Sequence, residues 1–207
     1  MMNVITPLEC YELNNDNRVL IPVYKSGKVG FINHDGVVVV PPKYDYYRGE
    51  FYSEDDLVVI ANNYHYAYER KTMAPAVYER PLYGLLNSRG EEVLKPDYYF
   101  LSSSDNYRLF SVQNRDGKYG VVDKCGNVVI PFGTYSKISP FYRGLARVRS
   151  VDMEDNKNLW GIINEAGEIV LPIEYDDIWN FYNERNITLV KDSSKTKITV
   201  DSLLLPF

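Results

Sequence analysis

A single frame recurs four times in this sequence and limits what it can fold into: Gly, five residues, Gly, four or five residues, Pro. The first copy reads Val29-Gly30-Phe31-Ile32-Asn33-His34-Asp35-Gly36, then Val37 to Val40 and Pro41. The second runs from Tyr83-Gly84-Leu85-Leu86-Asn87 through Gly90 to Val93, Leu94 and Pro96. The third runs from Tyr119-Gly120-Val121-Val122-Asp123 through Gly126 to Val128, Ile130 and Pro131. The fourth runs from Trp160-Gly161-Ile162-Ile163-Asn164 through Gly167 to Ile169, Leu171 and Pro172. A tyrosine follows each proline, at Tyr44, Tyr98, Tyr135 and Tyr175.

Each slot has a physical reading. Two apolar residues, then Asn or Asp, two variable residues and Gly, describe a tight hairpin. Asn or Asp opens a type I turn, and the glycine takes the left-handed conformation that closes a G1-bulge loop. The apolar, largely β-branched run that follows is the returning strand. Proline lacks an N–H, so it is expected to end the ladder. Glycine in a strand interior weakens it. Its recurrence after the aromatic position therefore implies that a backbone or an aromatic ring from a neighbouring unit lies against it.

A further strand precedes each hairpin: Leu57 to Ile60, Arg108 to Val112, and Leu145-Ala146-Arg147-Val148-Arg149, where small or apolar residues alternate with charged ones. Asn114 to Lys118 reads as a second hairpin turn of the same chemistry. The unit is thus a three-stranded meander of roughly 35 to 40 residues, within the range of stacked repeat proteins. An all-β array of tandem meanders is expected. Its repeats cover about 18–56, 57–107, 108–144 and 145–186, after an N-terminal segment 1–17. Residues 187–207 start like a fifth copy but lack the glycine pair, as a degenerate capping unit would. Successive first glycines lie 54, 36 and 41 residues apart, at Gly30, Gly84, Gly120 and Gly161. An open superhelical array absorbs such irregularity more easily than a small propeller-like closed ring, because each unit touches only its neighbours.

These motifs resemble the WG repeat family, whose Trp-Gly dipeptide stands here as Trp160-Gly161. The tryptophan position is Val29, Tyr83 and Tyr119 in the other copies, so this would be a diverged member. The resemblance covers roughly Arg18 to Asp177. It implies a β-rich repeat module of bacterial proteins, used for binding or scaffolding, with no catalytic residues in its motif.

Composition narrows the function classes. The chain has 207 residues and a net charge of −5, which argues against nucleic-acid binding, since that needs a basic footprint. Tyrosine occurs 19 times against 8 phenylalanines and 2 tryptophans, a bias that suits strands. Cys10 and Cys125 are in no CxxC pattern and read as free thiols; with only His34 and His65 beside them, zinc has few ligands. No cofactor or metal is expected. Met1 to Leu20 has no basic residue before Arg18 and no apolar run fit for a signal peptide, and no stretch is long enough to span a membrane. A cytoplasmic protein, monomeric or weakly self-associating, is the expectation.

Few residues suggest chemistry. His34-Asp35 and Cys125 occupy the variable slots of hairpin turns, where a catalytic base cannot be held and oriented. The acidic runs Glu50 to Asp56 and Asp152 to Asp155 lack the spacing of a calcium loop. Asn186-Ile187-Thr188 matches a glycosylation acceptor, which matters only in a secreted eukaryotic protein. The glycines serve turns at fixed offsets and form no phosphate loop. A hydrolase would need convergent carboxylates such as Asp45, Asp176 and Asp177. Asp45 and Asp176, however, recur directly after the repeat tyrosine, which suggests a hydrogen bond to a neighbouring backbone.

The main departure from the repeat is the insertion between Ala61 and Leu82. Tyr64, Tyr66 and Tyr68 alternate there and would share one face of a strand, with Tyr78 on the returning arm. Such a stripe either packs on the adjacent repeat or forms a protein-recognition surface, where tyrosine is enriched. The expected function is a non-enzymatic interaction or scaffold module that binds another protein, possible roles including neutralisation of a toxin. Carbohydrate or cell-surface binding is the alternative, and a hydrolase the distant one.

Overall fold

The computed structural model describes residues 19–51, 55–64, 80–150, 158–182 and 185–203. Among them lie eighteen strands in five antiparallel sheets, with one 3-10 turn at Val200–Leu203 and no α-helix. None of the sheets closes into a barrel. The chain divides into two compact units, Met1–Tyr99 and Phe100–Phe207.

The first unit holds two sheets. Sheet I contains β1 (Ile21–Lys25), β2 (Lys28–Ile32) and β3 (Val38–Tyr44), and sheet II contains β4 (Tyr46–Arg48), β5 (Leu57–Asn62), β6 (Leu82–Asn87) and β7 (Glu92–Tyr98). The second unit holds three. Sheet III runs β8 (Phe100–Ser103), β9 (Leu109–Gln113), β10 (Tyr119–Asp123) and β11 (Val128–Ile130). Sheet IV runs β12 (Lys137–Ile138), β13 (Leu145–Arg149), β14 (Trp160–Asn164) and β15 (Ile169–Tyr175). Sheet V runs β16 (Asp177–Trp179), β17 (Asn186–Lys191) and β18 (Ser194–Thr199). Sheets II, III and IV therefore carry a fourth strand in front of the expected meander. It is two to four residues long and starts soon after the repeat tyrosine.

The turns follow the expected chemistry. Gly36, Gly90, Gly126 and Gly167 have φ between 74° and 85°, and each donates its N–H to the carbonyl of the Asn or Asp three residues earlier. The side-chain oxygen of that same residue accepts two more backbone N–H groups. Asn33 takes those of Asp35 and Val37 at 3.0 and 2.9 Å, and Asn87, Asp123 and Asn164 repeat the pattern. Asn114 to Lys118 builds the second hairpin turn with the same bonds. The fifth copy forms a sheet without the glycine pair. Asp192 and Ser193, at φ 47° and 65°, make a two-residue turn of the primed type between β17 and β18.

Two expectations need correction. Proline does not end the returning strand in three of the four copies: Pro41 and Pro42, Pro96 and Pro172 lie inside β3, β7 and β15. The ladder skips them. Phe31 pairs with Val40 and Val29 with Tyr44, so Gly30 alone on β2 faces Pro41, Pro42 and Lys43 on β3, and the prolines stand in the bulge where no N–H is required. Only β11 stops before its proline, Pro131. The first glycine, in turn, is crowded by its own unit and not by a neighbouring one. A Cβ on Gly30 or Gly84 would collide with the bulged backbone of Val40 to Pro42 or of Leu94 to Pro96. On Gly161 it would lie 2.7 Å from both the Leu171 carbonyl oxygen and the Ile173 side chain. In the third copy the ring of Phe132 fills that space.

The core lies between successive sheets within each unit, because the pleat sends consecutive apolar residues to opposite faces. Val29 and Phe31 of sheet I pack with Val58, Ile60 and Leu86 of sheet II. Val121 and Ile130 of sheet III pack with Ala146, Val148 and Ile163 of sheet IV, while Leu145, Ile162 and Leu171 of sheet IV pack with Ile178, Ile187 and Leu189 of sheet V. Ile162 and Ile163 are adjacent in sequence, fully buried, and belong to different cores. Burying side chains of this kind contributes about 1.5 to 3 kcal/mol each.

Candidate functional site

The bulge at the prolines fixes which side chains stand side by side. By skipping two residues it brings the repeat tyrosine opposite the residue before the first glycine: Val29 pairs with Tyr44, Tyr83 with Tyr98, and Trp160 with Tyr175. Extending each pair across its sheet gives a row of side chains on one face. In sheet II the row is Tyr46, Ala61, Tyr83 and Tyr98. In sheet IV it is Lys137, Arg149, Trp160 and Tyr175. The aromatic members of both rows are half-buried, with part of each ring open to solvent.

Tyr64 belongs to the sheet II row in space. Its ring stacks on Tyr46 with centroids 4.1 Å apart and planes 14° from parallel. Burial raises the Tyr83 hydroxyl above its ordinary pKa, the nearby Tyr64 and Tyr46 add to this, and Arg48 opposes it. Tyr64 therefore packs against β4. Tyr66, Tyr68 and Tyr78 lie outside the described residues.

The sheet IV row is cationic, and the sequence reading did not single it out. Lys137, Arg147 and Arg149 all stand over the indole of Trp160, at 5.9, 5.3 and 5.9 Å from its centroid. Arg147 also lies 5.7 Å from the Phe181 ring and 5.6 Å from that of Tyr182. One of its Nη1 hydrogens is donated to the Ile178 carbonyl, whereas its Nε is buried without a partner. Arg149 donates from Nε to the Ser136 hydroxyl at 2.9 Å. None of the three cations forms an ion pair among the described residues. A signal was present in the sequence: arginines two apart on a strand next to the Trp-Gly strand must share a face.

The carboxylates proposed for a hydrolase are structural. The Asp45 carboxylate accepts the Asn63 N–H at 2.8 Å and pairs with Lys28, while the Asp45 N–H goes to the Ala61 carbonyl. Asp176 does the same in the last sheet, accepting the Asp192 N–H at 2.8 Å and donating to Val190. Asn63 and Asp192 both have positive φ, so the carboxylate holds a left-handed residue just past the second strand of the sheet that follows, β5 or β17. Asp177 accepts from its neighbours Ile178 N–H and Trp179 Nε1. The recurrence of Asp45 and Asp176 thus marks a clasp that ties two of the four repeat tyrosines, Tyr44 and Tyr175, to the sheet that follows each.

The turn residues are as bland as their slots imply. His34 and Asp35 are exposed at a hairpin tip. Cys125 is exposed and free; it borders a shallow depression of about 340 Å³ lined by Arg108, Leu109, Asp123, Lys124 and Glu165. Asp123 is engaged by its own turn and by Asn127, and Glu165 accepts from Asn106 at 3.0 Å, so no convergent acid–base pair is left there. Cys10 and the run Asp152 to Asp155 lie outside the described residues. Among the described residues no cluster of His, Cys, Asp and Glu is placed to hold a metal ion, and no helix is long and apolar enough to cross a membrane.

The model of the family described as the WG containing repeat matches residues 30–64, 119–150 and 160–195. The second copy falls outside these matches, although β6 and β7 keep the same register as the other copies. No curated protein matches the chain. Among solved structures, one described as the crystal structure of the eukaryotic initiation factor is similar at 11% identity and a TM-score of 0.30. That likeness covers 89% of this chain and 60% of the other, and at such a score it carries no argument.

Proposed function

Because the chain belongs to the WG repeat family, we propose that it serves as a non-catalytic module that binds another protein, using half-exposed aromatic rows held by its stacked sheets. The WG repeat is a repeat module and not an enzyme family, and the carboxylates that could have served a hydrolase are committed to backbone N–H groups. The observation that carries the reading is the row of sheet IV. There a tryptophan stands opposite the repeat tyrosine and is flanked by arginine, the residue types that supply most binding energy at protein interfaces. The strands beneath are buried on both faces, so the row is presented without an ordering cost.

The test uses the intact chain as bait in an extract of its native cells. It is expected to retain one defined protein at fixed stoichiometry. Trp160→Ser should lose that protein while circular dichroism stays unchanged, whereas Cys125→Ser should retain it. Equal retention by a folded Trp160→Ser variant overturns the reading.

A further inference from the structure

Three positive charges crowd one indole in a chain whose net charge is −5. Like charges held together raise the energy of the folded state, and such a cluster is ordinarily relieved by a nearby carboxylate. None is in ion-pair range of Lys137, Arg147 or Arg149 among the described residues, although ion pairs form elsewhere in the same unit, as between Lys191 and Glu174 at 3.0 Å. The unmet demand is geometric as well as electrostatic. Arg149 commits only its Nε, to Ser136, and Arg147 keeps a buried Nε with no acceptor. A guanidinium held by Nε at its inner side turns its two terminal amino groups outward, the arrangement that grips a carboxylate through paired hydrogen bonds.

We infer that the Lys137–Arg149–Trp160 row of sheet IV is the docking site for an acidic segment of a partner protein, whose Asp or Glu carboxylates pair with Arg149 and Lys137 while an apolar side chain covers the indole. This rests on the protein-binding function proposed above and gives the partner its chemistry. Phosphate-bearing ligands fit less well. The row lies along paired strands, whose backbone N–H groups serve the ladder and form no cradle for a phosphate among the described residues. The row joins Arg149 to Trp160 and Tyr175, the aromatic and arginine composition enriched at protein interfaces.

A synthetic peptide of alternating Glu and Leu, with a Gln-for-Glu counterpart, tests this against the intact chain by calorimetry and, in a Trp179→Phe variant, by the indole fluorescence of Trp160. The Glu peptide is expected to bind and the Gln peptide to bind at least roughly tenfold more weakly, with the difference shrinking as salt rises. Lys137→Glu, at an exposed position, and Arg149→Glu, at a half-buried one, should each weaken the Glu peptide by roughly tenfold while the protein still unfolds cooperatively. Equal binding of both peptides, no binding of either, unchanged binding by a folded Arg149→Glu protein, or tighter binding of inorganic phosphate or an RNA oligonucleotide at this row overturns the inference. It is separable from the parent reading. If Arg149→Glu still captures the native partner while Trp160→Ser does not, protein binding stands and the acidic chemistry falls.

Discussion

Sheets II and IV place the same two repeat positions opposite each other and surround them with different chemistry. Around Tyr83 and Tyr98 stand Tyr46, Tyr64 and the small Ala61, a neutral row closed by ring stacking. Around Trp160 and Tyr175 stand Arg149 and Lys137, cations that form no ion pair among the described residues. The backbone device is common to both: a bulge over a glycine and an Asn-capped turn. The strand in front of the hairpin is what differs, Ala61 in one and Arg149 in the other. The repeat thus fixes where a row stands, and the preceding strand decides what it can bind.

The largest expected effect comes from the device that both rows share. Gly84→Ala drives a methyl group into the backbone of Leu94 to Pro96, which cannot move without losing the register, and should cost about 3 kcal/mol in urea unfolding. Gly120→Ala meets only the ring of Phe132 and should cost about 1 kcal/mol, because a side chain can turn away. Similar losses at the two positions would break the claim that the glycine exists to admit the bulge.

Next come the clasps. Replacing Asp45 or Asp176 by Ala removes a charge-assisted bond to a backbone N–H in each unit and should cost about 1.5 kcal/mol. Faster hydrogen exchange confined to the Asn63 or Asp192 amide is the accompanying signature.

A pH dependence follows for the first unit. Hydrogen bonds from Lys43 and from the buried Tyr44 hydroxyl lower the Glu92 pKa below its ordinary value of 4.5. A depressed carboxylate stabilises the fold above its unfolded pKa, and that contribution is lost as pH falls through the folded value. Unfolding followed from neutral pH to well below 4.5 should show this loss, and Glu92→Gln should flatten it. The smallest effect is expected for Trp160→Tyr. The second and third copies carry tyrosine at that place, so stability should change by less than about 1 kcal/mol while the cation cluster loses its strongest ring.

What was legible in the sequence was local. The Asn33-to-Gly36 turn and its three counterparts are complete within a handful of residues, so their side-chain chemistry declares them. The Asp45 and Asp176 clasps could be suspected because the same residue follows the same tyrosine. Cross-strand partnering was not legible, because it depends on how many residues the bulge consumes. Reading Pro172 as the end of a ladder hides the pairing of Trp160 with Tyr175, and with it the row that includes Arg149. The short strands β4, β8, β12 and β16 were missed for a related reason: two to four residues such as Lys137–Ile138 carry no period of their own and are strands only because a neighbour pairs with them. Tyr64 drew attention by its alternation with Tyr66, yet its place was decided by a strand eighteen residues earlier, at Tyr46.

The division of Ile162 and Ile163 between two cores has a consequence for how such chains change length. A hairpin is the hinge-pin of two interfaces at once, so half of a copy is never a neutral thing to gain or lose. Duplicating or deleting a whole copy rejoins a forward face to a backward face of the same kind, and the stack continues. Cutting within one strands an apolar surface on each side of the joint. Lineages of this architecture should therefore differ in whole copies, with drift confined to connectors such as the one between β5 and β6, where added residues leave the pairing of Ala61 with Tyr83 untouched.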